Sequence, residues 1–373
     1  MSMQLPDDTS VRLTPPDAEE VALVARGVLT AASGVAGPTE LQRLLVGSVF
    51  AAMTGHEPDT TDLMPLDAPS LATVLADRNE TYRRRILQVM ALVALVQVPL
   101  SPDIVHQLDS YADALSIDDD MLRAAHDLSS HSLALLQVDF DRNGYLEEVA
   151  GRQAAASGVT EVWGLAEHDP VLASRWSSLA ELPSGTLGRG VHDFYRARGF
   201  VFPGQPGSAP PLLSQHDWVH VLADYGTTVE NELEVFAFIA RANDDPRAFS
   251  LLAMVVSLFE TGALARGAGL FEADTGHLSH AGMTRRLGDA MRRGALCRGS
   301  NDFLALDWFA IADRPVEVVR RELELPTKDA LARSLGSVGP WEPGGISPYQ
   351  WNAGHVLAER EGREYDSFGA ALL

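Results

Sequence analysis

The sequence predicts an all-α protein built from two helical domains. Apolar residues recur at helical spacing along most of the chain, and no stretch shows the every-other-residue alternation of a half-buried strand. Helix-start and helix-stop residues also fall between the periodic segments. The expected division is a flexible polar arm over 1–17, a helical bundle over 18–145, a second helical domain over 146–335, and a Gly-, Pro- and Trp-rich tail over 336–373. At 373 residues the chain is long enough for two domains with substantial cores.

In the first domain, helices are expected over 17–32, 39–53, 79–98, 102–115 and 118–137. Pro99-Leu100-Ser101-Pro102 and Ile117-Asp118 are sharp boundaries between them. The longest apolar run, 86–100, is too short to span a bilayer and is interrupted by Gln88 and Gln97, so it reads as a buried helix. Asp139-Phe140-Asp141-Arg142-Asn143-Gly144 imitates the opening of a calcium-binding loop, with Leu146 at its apolar eighth position. Ala150 stands where the closing bidentate Glu belongs, so an interdomain turn is expected there instead.

The second domain holds the chemistry. His216, Asp217 and His220 are followed, after eleven residues, by Glu232. Apolar neighbours place 214–224 in a helix, which puts the two histidines one turn apart on one face, able to share an ion. Asp217 can be a third ligand or can orient an imidazole. A continuous helix would turn Glu232 roughly 120° away from His220. Tyr225-Gly226-Thr227-Thr228 offers a break: Gly226 can take a left-handed C-cap, and Thr227-x-x-Glu230 reads as the capping box of a second helix that folds Glu232 back. Such a set suits zinc, iron(II), manganese or cobalt, and the residue types do not choose among them.

Two further stretches stand out. The segment 246–262 is apolar almost all round, as core helices are. His277-x-x-His280, with Glu272 and Asp274 nearby, sits between Gly276 and Gly282, and hydrogen-bonded capping is expected of it rather than metal binding.

His-Asp-x-x-His, eleven residues, then Glu is the signature of the ubiquinone-biosynthesis family Coq-four, which this chain resembles over roughly residues 155 to 330. Leu182-Pro183-Ser184-Gly185-Thr186-Leu187-Gly188 is similar to the family's Leu-Pro-x-x-Thr-Leu-Gly segment, with Phe194 and Gly199-Phe200 following. Arg292-Arg293-Gly294, Asp307-Trp308 and Arg314 through Arg320 resemble its closing helices. The resemblance implies an all-helical domain that binds a divalent metal through His216, Asp217, His220 and Glu232. It also implies a hydrophobic, prenylated aromatic substrate, oxidative decarboxylation in which hydroxyl replaces a ring carboxyl, and partners in a biosynthetic complex at a membrane. Under it, Arg189 becomes a candidate for an anionic substrate group, and Phe249, Leu252 and Val256 become candidate walls of a prenyl tunnel. Phe309 departs from the acidic residue usual after the tryptophan.

The first domain resembles a TerB-type tellurite-resistance domain from Leu87 to Leu122, with Tyr111-Ala112-x-Ala114-Leu115. Gly55-His56-Glu57-Pro58-Asp59 replaces the acidic loop of that family, so this half reads as a structural or partner-binding module.

Composition narrows the function. With 29 Lys+Arg against 51 Asp+Glu, the net charge of −22 is poorly suited to nucleic acid or an anionic bilayer face. It leaves room for peripheral membrane contact through a local apolar patch. Cys297 is the only cysteine, which fits a reducing compartment, and the opening residues lack a signal-peptide pattern. A soluble, cytoplasmic protein is expected. The only lysine, Lys328, lies in a Pro-Thr-Lys-Asp turn, and neither Gly-x-Gly-x-x-Gly nor Gly-x-Ser-x-Gly is present, so nucleotide-loop and serine-hydrolase chemistry have no local support. The leading expectation is a metal-dependent enzyme acting on a hydrophobic aromatic or quinone-like substrate. The alternatives are a lipid- or prenyl-binding scaffold with a structural metal, and a metal hydrolase in which Asp217 reaches less far than the usual Glu.

Overall fold

A computed structural model describes residues 15–61, 64–129, 169–206, 208, 214–245, 248–261 and 275–373. The protein is all-α: the described residues hold helices and two isolated β-bridges, Thr186 with Pro315 and Pro343 with Ala371. The chain divides into two compact units between Asp139 and Phe140. The arm before residue 15, the calcium-loop imitation, the end of the 118–137 helix and the acidic pair Glu272 and Asp274 lie outside the described residues.

The first unit holds α1 (Ala18–Ala32), α2 (Glu40–Thr54), α3 (Ala68–Val74), α4 (Glu80–Leu95), α5 (Pro102–Leu115) and α6 (Asp120–Ser129). Asp17, Thr39 and Asn79 cap α1, α2 and α4, each accepting from a backbone N–H of the first turn. Thr39 and Gln42 complete a capping box. The apolar run is buried from Ile86 through Leu95 and forms the spine of the unit. Gln88 does not interrupt it, because its amide donates to Asp119 (3.0 Å) and accepts from Arg85 (3.0 Å). The sequence did not announce α3, a seven-residue helix with Pro69 in its first turn and Asp67 as its cap.

The second unit holds α7 (Pro170–Ser178), α8 (Leu187–Arg198), α9 (Ser214–Ala223), α10 (Val229–Ala242), α11 (Ala248–Val256), α12 (Met283–Leu296), α13 (Val316–Glu322), α14 (Ala330–Ser334) and α15 (Pro348–Arg360). A π-turn, Ser257–Thr261, continues α11. The core pairs α10 with α12, where Gly294 lets the backbone of Phe238 approach. In the Leu182–Gly188 segment, Thr186 caps α8, and a Cβ at Gly188 would meet Leu182 at 2.7 Å and Ala312 at 2.8 Å. Trp218 stacks on Trp308, with ring centroids 5.7 Å apart. The tail is partly helical, since α15 packs on α8. No helix among the described residues is long and apolar enough to cross a membrane.

Candidate metal centre

The corner between α9 and α10 is shaped by one turn. Asp224 takes the left-handed conformation (φ 64°), and the Tyr225 N–H reaches back to the His220 carbonyl at 3.0 Å. The expectation for Gly226 is therefore corrected: Asp224 makes the stop. Gly226 is needed for space, because a Cβ there would lie 2.6 Å from Asn231 Oδ1 and 2.7 Å from Gly345 Cα. The cap moves as well, and it is a single side-chain cap, not a capping box. Thr227 is occupied by Arg198 Nε (2.8 Å) and Gln350, which leaves Thr228 to cap α10 through the Asn231 N–H.

This turn folds Glu232 onto the histidine pair. His220 Nε2 lies 3.3 Å from Glu232 Oε1, His216 Nε2 lies 3.4 Å from Glu232 Oε2, and His216 Nε2 lies 3.6 Å from Asp217 Oδ1. Ligand atoms of a tetrahedral ion with bonds of 2.0–2.1 Å stand about 3.3 Å apart, so the spacing fits an ion better than direct hydrogen bonds. His220 is fully buried, Asp217 and Glu232 nearly so, and His216 is partly exposed.

Protonation sharpens the fit. His220 Nδ1 lies 2.8 Å from the carbonyl of Gly226, and a carbonyl can only accept, so Nδ1 carries a proton. In a neutral imidazole, Nε2 is then a bare lone pair. It is buried, makes no hydrogen bond, and faces an acidic oxygen. A metal ion between them, or a second proton on the ring donated to Glu232, satisfies both atoms. Burial works against the Glu232 carboxylate, yet His220 and His216 hold its pKa down to about 2. Burial pushes the Asp217 carboxyl up, against the two imidazoles and the Tyr195 hydroxyl, which donates to Oδ2 at 2.5 Å. The fourth oxygen of the set, Asp217 Oδ1, is left facing His216.

Tyr195 and Arg198, both on α8, were not foreseen. Arg198 is fully buried over the Phe194 ring (4.1 Å), and its Nη2 donates to the carbonyls of Pro340 (2.8 Å) and Gly345 (2.9 Å). Burial pulls its pKa down to about 9, opposed by the charges of Asp217 and Glu232 among others. Phe194 stacks on His220 (5.4 Å), and Phe236 lies 5.3 Å from the His216 ring. The signal for Arg198 was its place just before Gly199-Phe200; Tyr195 gave none.

No family model matches the chain, and no curated protein does. The TerB-type resemblance of the first unit therefore rests on its quoted residues alone. A crystal structure of a "Putative ubiquinone biosynthesis protein" from Nostoc punctiforme is similar at 20% identity and a TM-score of 0.31, covering 66% of this chain and 99% of that one.

Arg189 is held by Asp193 (2.8 Å) and the Ala180 carbonyl (3.0 Å). Phe249, Leu252 and Val256 are fully buried on α11, which packs against α10. Phe309 joins an aromatic cluster with Trp176 (5.7 Å) and Trp218 (5.5 Å), under the guanidinium of Arg175. His277 and His280, expected as caps, instead both approach Glu230. That pairing was hidden because Glu230 lies 47 and 50 residues earlier.

Proposed function

We propose that the second unit is a metal-dependent enzyme acting on a hydrophobic aromatic or quinone-like molecule, with His216, Asp217, His220 and Glu232 as the ligands. The observation that carries this reading is the Nε2 of His220, buried without a hydrogen bond and 3.3 Å from a carboxylate oxygen. A divalent ion bound there supplies Lewis acidity toward a substrate oxygen. The chain's own groups do the rest. The Gly226 carbonyl fixes the His220 tautomer, and the Tyr195 hydroxyl fixes Asp217. Phe194 and Tyr195 help close the inner side against water. His216, the most exposed ligand, marks the side from which substrate approaches, with Phe236 beside it as an aromatic wall.

The substrate class rests on the motif resemblance, which favours oxidative decarboxylation of an aromatic carboxylic acid with dioxygen as oxidant. Contact with biosynthetic partners and a membrane surface belongs to the same reading. The burial of three ligands favours a second: an ion that only locks the α9–α10 corner of a prenyl- or lipid-binding scaffold.

Metal content of untagged protein, measured by mass spectrometry beside His216→Ala and His220→Ala, tests both. Iron or manganese near one equivalent, lost in the variants together with turnover of aromatic acids under oxygen, is expected of the enzyme. Turnover that survives ion loss sinks the mechanism. Ion loss that lowers only the melting temperature selects the scaffold, and wild-type protein that takes up no metal at His216–Glu232 removes the centre.

A further inference from the structure

We infer that Glu230, His277 and His280 form a second divalent-metal site, separate from the four-ligand corner and independent of it. Glu230 Oε1 lies 2.9 Å from His277 Nδ1 and 2.8 Å from His280 Nδ1, and one ligand atom from each residue lies within 4.8 Å of the others. The two histidines open and follow a 3₁₀ turn, His277–Ser279, in which side chains three apart eclipse. Their rings stand 5.2 Å apart, edge to face.

The turn is built without help from Glu230. Glu260, at the end of the π-turn, accepts from the Leu278 N–H (2.7 Å) and the Ser279 hydroxyl (2.7 Å), while its main-chain carbonyl accepts from the Gly276 N–H (2.9 Å). Two imidazoles are thus presented by a pre-formed turn to one carboxylate on α10. Among the described residues no arginine or lysine pairs with Glu230, so its charge is left to the two histidines.

Two neutral imidazoles and a carboxylate suit zinc, with water in the fourth position. The present separations are hydrogen-bond lengths, and a tetrahedral ion needs about 3.3 Å between ligand atoms, so the site must open by roughly 0.5 Å. His280 can supply that movement, since its side chain is 59% exposed. On binding, each imidazole shifts its proton from Nδ1 to Nε2, and no redox change occurs. The ion would clamp the 277–280 turn to the first turn of α10, two residues ahead of Glu232.

Zinc titration of the full, untagged chain by calorimetry, after chelator treatment, tests the inference. His280→Ala should weaken one class of zinc binding by about tenfold or more while leaving the metal-free melting temperature unchanged. Glu230→Gln should weaken the same class of zinc binding. A His216→Ala/His220→Ala protein should keep this site, so failure of the four-ligand centre and failure of this one are read separately. Zinc isotherms of His280→Ala and of Glu230→Gln that superpose on the wild type overturn the inference. If Glu230→Gln does not fold, the exposed His280 variant alone decides.

Discussion

The two units bury polar side chains differently: among the described residues of the first, Arg83 Nε is the one buried side-chain atom without a hydrogen-bond partner, and the rest lie in the second. In the first, Glu20 and Arg78 form a two-pronged pair at 2.7 and 2.6 Å, both nearly inaccessible. Gln42 donates to the carbonyls of Ala32 and Val93 and accepts from Thr39. In the second, His220 Nε2, Arg198 Nη1, Glu234 Oε1 and Lys328 Nζ are buried with no hydrogen-bond partner. A closed polar core specifies a shape. Open polar atoms in a core cost stability and persist where something else is to be bound.

Four measurements break or sharpen that contrast. All six tryptophans lie beyond residue 140, so their fluorescence follows the second unit while circular dichroism follows both. The largest effect is expected from Arg78→Ala, which removes the charge paired with the buried Glu20 carboxylate and should cost about 3–5 kcal/mol. Urea unfolding should show it by circular dichroism, with the tryptophan transition unmoved.

Lys328→Met should work in the other direction. Burial holds the Lys328 pKa down at about 8 against an ordinary 10.5, despite the opposing charges of Asp224, Glu234 and Glu342. Below about pH 8 both states carry the proton and the full penalty applies. Between about 8 and 10.5 the unfolded chain holds a proton that the folded chain has released, so stability rises with pH there. The variant should gain roughly 3 kcal/mol at pH 7 and lose that rise, as read by tryptophan-detected melts across the pH range. A variant less stable than wild type at pH 7 would show that the lysine is satisfied.

Tyr195→Phe removes the bond to Asp217 and should cost about 1.5–3 kcal/mol, and about tenfold or more in affinity if the corner binds an ion. The smallest effects come from the caps. Thr39→Ala and Thr228→Ala should each cost about 1 kcal/mol, but only the second should also weaken ion retention.

Much of the fold was legible because helix signals are local. Asp17, Thr39 and Asn79 each bond within three residues of themselves, and the 86–95 run announces its own burial. The layout of His216, His220 and Glu232 was legible for the same reason, since one turn decides it. What the sequence hid was distant. Tyr195 meets Asp217 across 22 residues, and Arg198 meets Gly345 across 147. The left-handed stop at Asp224 was misplaced onto Gly226 because glycine is the usual occupant, and here space, not conformation, demanded the glycine. The short α3 escaped because seven residues give periodicity too little room.

Arg198 and Thr227 put α15 in mechanical series with the ligand corner. Gln350 on that helix holds Thr227, Gly345 receives both the Arg198 guanidinium and the Thr227 N–H, and Thr227 adjoins the Gly226 carbonyl that sets His220. Tension applied to α15, whether by a protease, a fused tag or a docking protein, would pass along this line toward the carbonyl that sets His220.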